Sequence, residues 1–115
     1  MIKAKKIYLD ELWPGIRLDG KGTRKFLNGQ TTTNFLSLEE SLIRTSCLLT
    51  ALGKLKALLE IKLDSQGATI IVISGNLDNV FRDLESVIFP LDMVELKILK
   101  NKIRRIQLIE QDRSL

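Results

Sequence analysis

Histidine is absent from this chain, and cysteine occurs once, as Cys47. Those two scarcities remove Ser-His-Asp and Cys-His nucleophile systems, the usual soft-ligand zinc sites and any internal disulfide. No metal is expected, and any chemistry falls to carboxylates, amides, hydroxyls and lysines. Aromatic residues make up only 5% of the chain, with a single Trp and a single Tyr. The stacking platform of a single-strand nucleic-acid surface is therefore missing. No run of about 18 apolar residues occurs, and Met1-Ile2-Lys3-Ala4-Lys5-Lys6 leads into no sustained apolar stretch. Neither a membrane span nor a signal peptide is expected, and cytoplasmic residence is the default.

What is present is apolar content: 44% of 115 residues, enough for one small domain over 1–115 with a modest core. Cys47 sits in the run Cys47-Leu48-Leu49, which predicts a buried, inert thiol. The formal charge of +4 is uneven. Lys97, Lys100, Lys102, Arg104 and Arg105 follow one another with no acid between Glu95 and Glu110, and Lys3, Lys5 and Lys6 form a second group. Lys100, Lys102, Arg104 and Arg105 are candidates for polyanion binding by phosphate neutralisation, against the plainer reading of a solvated basic face.

Periodicity supplies the elements. Leu77, Val80, Phe81, Leu84, Val87 and Ile88 repeat at helical spacing and predict one long helix over about 76–89, capped by Asn76 and stopped by Pro90. Leu55, Ala57, Leu59, Ile61 and Leu63 alternate with Lys56, Glu60 and Lys62. After the turn Asp64-Ser65-Gln66-Gly67, the β-branched run from Ala68 to Ser74 returns as a central strand covered on both faces. Ile43 to Thr50 reads as a third adjacent strand, joined through a break at Gly53. Ile16-Arg17-Leu18 is a short strand, and a short helix over about 22–28 ends with Gly29 in the C′ position. Met93, Val94, Leu96 and Ile98 give a further strand, with Ile103 to Ile109 as another candidate whose Arg104-Arg105 pair suits an edge. The fold class is α+β, a mainly antiparallel sheet with helices on one face.

Three stretches of this order form one known pattern: Ile16-Arg17-Leu18-Asp19-Gly20, then Phe26 to Asn34, then Leu48 to Ala57 with its Gly53-Lys54 step. With them the chain resembles the N-terminal folate-binding domain shared by the glycine cleavage T protein (aminomethyltransferase) and YgfZ-type folate-binding proteins, over roughly residues 16–110. Asn28 stands where the pattern favours Gln, and Asn34 where it favours Asp. Gly53-Lys54-Leu55-Lys56-Ala57-Leu58 lacks the acid that the aminomethyltransferase pattern carries after its glycine. Without a positioned carboxylate, proton handling at a folate nitrogen is disfavoured, so the pattern is more similar to the YgfZ type. The later family domains, and the YgfZ segment Lys-Gly-Cys-Tyr-x-Gly-Gln-Glu, are absent from the sequence.

The resemblance implies a non-catalytic, tetrahydrofolate-binding domain linked to iron–sulfur enzyme maintenance or tRNA modification. Its ligand contacts would come from Gln30, Thr32, Asn34, Lys54, Ser74 and Asn76. Each has a plainer role as well: a hydroxyl-rich turn for residues 29–34, an N-cap for Asn76, a solvated strand face for Lys54. The alternative from another class is a small basic module that binds RNA or a partner protein through the edge from Lys97 to Arg105. Self-association is the expected fate of any apolar face left uncovered.

Overall fold

The computed structural model describes residues 4–36 and 43–112, with side chains at 4–7 and 109–112 outside the description. Five antiparallel strands run β1 (Ala4–Asp19), β2 (Ile43–Leu49), β3 (Leu55–Leu63), β4 (Gly67–Ser74) and β5 (Glu95–Asp112), in the order β2-β3-β4-β1-β5. Helix α1 (Thr23–Gln30) follows β1, and α2 (Leu77–Ser86) follows β4.

The strand alternation works as a sorting device. Ile16 and Leu18 on β1, Leu59, Ile61 and Leu63 on β3, and Ala68, Ile70 and Val72 on β4 all turn to one face. There they meet Phe26 and Leu27 of α1 and Val80 and Leu84 of α2, so the helices cover a single face. Ser46 and Leu48 of β2 are buried on that side, whereas Cys47 points the other way and is only half-buried, so the expected buried thiol is corrected. A single-residue change of parity decides this, because successive strand residues face opposite sides.

The β3–β4 hairpin closes as its turn residues require. Asp64 Oδ1 accepts from the backbone N–H groups of Gln66 and Gly67, both at 2.9 Å. Gly53 takes φ +81° in the β2–β3 turn, a region that favours glycine. Asn76 caps α2, its Oδ1 accepting from Asn79 N–H at 3.0 Å. The expected long helix is shorter than its pattern. It ends at Ser86, and Val87 leaves helical geometry three residues before Pro90 is reached. Residues 87–89 are thus connector, and Pro90 opens a one-turn 3₁₀ segment, Pro90–Asp92, rather than stopping the helix. At the other helix, Gly29 lies inside α1, which continues to Gln30 and is capped by Thr31. Thr31 supplies both N–H and hydroxyl to the Leu27 carbonyl, at 3.0 and 2.8 Å, so no left-handed glycine is needed there.

The largest departure concerns length. β1 spans 16 residues and β5 spans 18, where a three-residue strand and two separate strands are expected. From Ala4 to Trp13 β1 pairs only with β5, so the two form a ribbon extending past the sheet. The ribbon bends where Trp13 pairs with Ile103 but Gly15 pairs with Leu99. Three residues of β5 there oppose Pro14 alone, and Asn101 adopts φ +47° to accommodate them.

An arginine ties the end of the hairpin to β1. Arg17 Nη1 and Nη2 donate to both oxygens of Asp64 at 2.5 and 2.9 Å, Nε donates to Asp19 at 2.8 Å, and Nη1 reaches Thr69 Oγ1 at 3.0 Å. These bonds and the turn amides hold the Asp64 carboxyl well below the usual carboxylate range. A folded-state pKa below the unfolded one stabilises the fold above the unfolded value, near 4, and the contribution is lost as pH falls through the folded value. Asp64→Asn keeps the turn acceptor but removes the charge. It is expected to cost about 1 kcal/mol at pH 7, scaled for a partly exposed pair. The gap to the parent chain should narrow in thermal melts taken from pH 4 downward; a gap independent of pH would contradict the assignment.

Candidate functional site

The face of the sheet opposite the helices carries the chemistry. Across it lie Thr45 and Ile43 on β2, Glu60 and Lys62 on β3, Thr69 and Ile71 on β4, and Arg17 on β1. The bent ribbon folds over this face and latches to it. Arg105 of β5 donates Nε and Nη2 to the two carboxylate oxygens of Glu60 at 2.9 and 3.0 Å, and Nη1 to Gln107 at 3.2 Å. Its guanidinium also lies 5.5 Å from the centre of the Trp13 ring. Glu60 thereby holds the Arg105 guanidinium, with its pKa raised, in the charged form. A bidentate pair with both partners largely shielded fixes orientation more strongly than a surface ion pair.

Between ribbon and sheet lies an open cavity of about 710 Å³. Ile71, Leu99 and Ile103 give it an apolar floor, while Lys62, Thr69 and Lys102 supply polar groups. Covering by the ribbon explains why Ile71 is buried on the face away from the helices, and so why β4 is apolar on both sides. The size and the mixture of an apolar floor with a few polar groups suit a small organic ligand.

The six expected ligand residues do not converge here. Thr32 pairs with Cys47: its N–H donates to the Cys47 carbonyl at 3.1 Å, and its Oγ1 accepts from Cys47 N–H at 3.1 Å. Cys47 pairs with Leu58, and Leu58 with Ser74, so Thr32 and Ser74 close the two ends of one cross-sheet row. Three strand spacings place them about 14 Å apart. Asn34 Oδ1 accepts from Leu36 N–H at 3.1 Å, and Asn76 is the α2 cap. Thr32, Asn34 and Asn76 are therefore occupied by local backbone groups, whereas Gln30, Lys54 and Ser74 show no side-chain partner among the described residues.

The basic strip is partly neutralised. Arg104 makes a bidentate contact with Asp10 of β1, at 2.9 and 2.6 Å, and Arg105 is held by Glu60. Lys100 and Lys102, at the bend, have no ion-pair partner among the described residues. The acids come from β1 and β3, far away in sequence, so the absence of acid between Glu95 and Glu110 overstates the charge of the edge. Lys3 and the side chains of Lys5 and Lys6 lie outside the described residues.

Sequence reading missed Glu60, Lys62, Thr69 and Ile71. The signal that was available is the β-branched Ile70-Ile71-Val72 run, which marks a strand covered on both faces and hence a second layer above it. Among the described residues no group of three or more metal-ligating side chains comes together, and no helix is long and apolar enough to cross a membrane.

Among solved structures the chain is similar to the glycine cleavage system aminomethyltransferase T from Bartonella henselae, with a TM-score of 0.71 and 20% sequence identity. The match covers 92% of this chain and 28% of that protein, so the chain spans little more than a quarter of its length. At that identity the likeness establishes the fold. No protein-family model and no curated protein matches the sequence.

Proposed function

We propose that this chain is a non-catalytic folate-binding domain of the YgfZ-like kind, serving iron–sulfur enzyme maintenance or tRNA modification, and that it forms one wall of a tetrahydrofolate site. A shared fold does not carry function on its own. The observation that carries the reading is the cavity under the ribbon. Its floor of Ile71, Leu99 and Ile103 suits the ring system, and Lys62 and Lys102 suit the carboxylates of a glutamate tail. Gln30, Lys54 and Ser74, with side chains unengaged among the described residues, remain candidate contacts at the outer end of the sheet. The reading is of binding rather than transfer, because the Gly53 to Leu58 stretch offers no carboxylate for proton handling.

The cavity is open to solvent, so affinity is modest. Titration with tetrahydrofolate under reducing conditions is expected to give a Kd on the order of 0.1–1 mM, with amide shifts centred on Lys62, Thr69 and Ile71. Lys62→Glu should weaken binding about tenfold by opposing the ligand's carboxylates. Absence of heat and of shift changes at several times that concentration would sink the proposal. A salt-dependent shift on RNA, lost on replacing Lys100 and Lys102, would favour the basic-module reading instead.

A further inference from the structure

On the sheet face opposite the helices, direct cross-strand partners line up as one row: Ile43, Lys62, Thr69, Arg17 and Lys97. Thr69 stands at its middle, between a lysine on β3 and an arginine on β1. A guanidinium only donates, so the bond from Arg17 Nη1 at 3.0 Å makes Thr69 Oγ1 an acceptor on the β1 side. The hydroxyl hydrogen is thereby turned away from Arg17, toward Lys62 and the cavity that Lys62 and Thr69 both line. It meets no acceptor among the described residues, and the Lys62 ammonium meets no carboxylate there. Arg17 is not free to withdraw, because Asp19 holds its Nε and Asp64 holds Nη1 and Nη2. The next row on the same face runs Glu60, Ile71, Gly15 and Leu99, and it is apolar from Ile71 onward.

We propose that Lys62 and Thr69 form a carboxylate subsite, and that Arg17 is its positioning residue, fixing the Thr69 hydroxyl as a donor. The inference rests on the cavity being the ligand site proposed above, but not on the ligand being a folate. Directly opposed strand residues hold their Cβ atoms about 5 Å apart, so one ammonium and one hydroxyl can reach the two oxygens of a single carboxylate. Hydrogen bonds to an ionised acceptor are the stronger kind. A primary amide in the same place offers one oxygen and sets its nitrogen, a donor, against a second donor. The pair therefore selects an acid from its amide. Charge agrees: among the described residues Arg17 and Lys97 offset Asp19 and Asp64, Glu60 matches Arg105, and Asp10 matches Arg104. Lys62 and Lys102 are left in excess around the cavity. Arg17 supplies orientation rather than attraction, since its own charge is already matched. Ile71 and Leu99, one row away, give the carbon body of the acid its place, so the ligand class is a carboxylic acid with an apolar portion beside the carboxylate.

Chemical-shift titration of the full chain with N-benzoyl-L-glutamate and with its diamide tests this, read at the Lys62, Thr69 and Ile71 amides. The parent chain is expected to bind the acid about tenfold or more tightly than the diamide. Thr69→Val keeps the shape and the strand preference but removes the donor. It should weaken the acid about tenfold and the diamide little, and Thr69→Ser should restore the preference. Arg17→Lys should cut the preference in the same way, yet add nothing in the Thr69→Val background, because it acts through that hydroxyl. Thermal melts confirm that each variant is folded at the titration temperature. Equal binding of acid and diamide by the parent would overturn the proposal, as would a Thr69→Val chain that keeps the preference. Additive effects of Arg17→Lys and Thr69→Val would overturn it too, and so would displacement of the acid by an equal concentration of inorganic phosphate. Tetrahydrofolate is titrated in parallel. Tighter binding than the benzoyl acid, with no response to Thr69→Val, would leave the folate reading standing and the subsite gone; no binding, beside an intact preference for the acid, would do the reverse.

Discussion

Gly15→Val is expected to lower the melting temperature by about 10–20 °C, from a loss of about 2–4 kcal/mol in a domain whose total stability is about 5–15 kcal/mol. Gly15 sits at the bend of β1, paired with Ile71 on one side and Leu99 on the other. A Cβ there would collide with the Ile70 carbonyl oxygen and with the Ile103 side chain. Ile103 can rotate, but the carbonyl belongs to the β1–β4 ladder and cannot withdraw without breaking it. The clash therefore lifts the ribbon from the sheet, opening the cavity and loosening the contact of Arg105 with Glu60. Trp13 is the only tryptophan, and it lies beneath Arg105, so its emission should move to longer wavelength in the variant. A melting point within about 2 °C of the parent would show that the ribbon does not approach the sheet this closely.

Phe35→Ala should cost about 3–5 kcal/mol. Phe35 is fully buried and heads the core from a loop rather than from a strand or helix. Its N–H donates to Asn28 Oδ1 at 3.2 Å, which fastens the loop back onto α1. Removing the ring leaves a cavity under α1, and it also frees the segment that pairs Thr32 with Cys47. Phe35→Leu should recover most of the loss, since the leucine still fills part of the space. Chemical denaturation of the three proteins measures this; equal midpoints for Phe35→Ala and the parent would place the ring outside the core.

The polar stretch from Gly29 to Asn34 gains its meaning from this anchor. Thr31 caps α1, Thr32 extends the pairing of β2, and Asn34 folds back on Leu36. These contacts follow from the habits of short hydroxyl and amide side chains, which satisfy nearby backbone groups. The local reading of the stretch was legible, but its burial partner was not, since nothing in a lone Phe after five polar residues states which surface will receive it.

The sequence by itself determined the β3–β4 hairpin, the neighbouring β2, the N-cap and apolar stripe of α2, and the exclusion of histidine and disulfide chemistry. Each rests on interactions within a few residues: alternation at period two, a turn closed by Asp64, an amide at Asn76, a stripe at helical spacing. The tertiary structure alone decided the ribbon, the latch of Arg105 on Glu60, the pairing of Arg104 with Asp10, and the cavity between ribbon and sheet. Residues 4–13 carry no clean alternation, since both faces of a two-stranded ribbon are partly open to solvent, and their strand character comes from β5, about ninety residues later. Charge followed the same division. The basic strip is written in the sequence, but its neutralising acids reach it only in the fold: Asp10 through the pairing of β1 with β5, and Glu60 through the bend at Gly15 that lays the ribbon over the sheet.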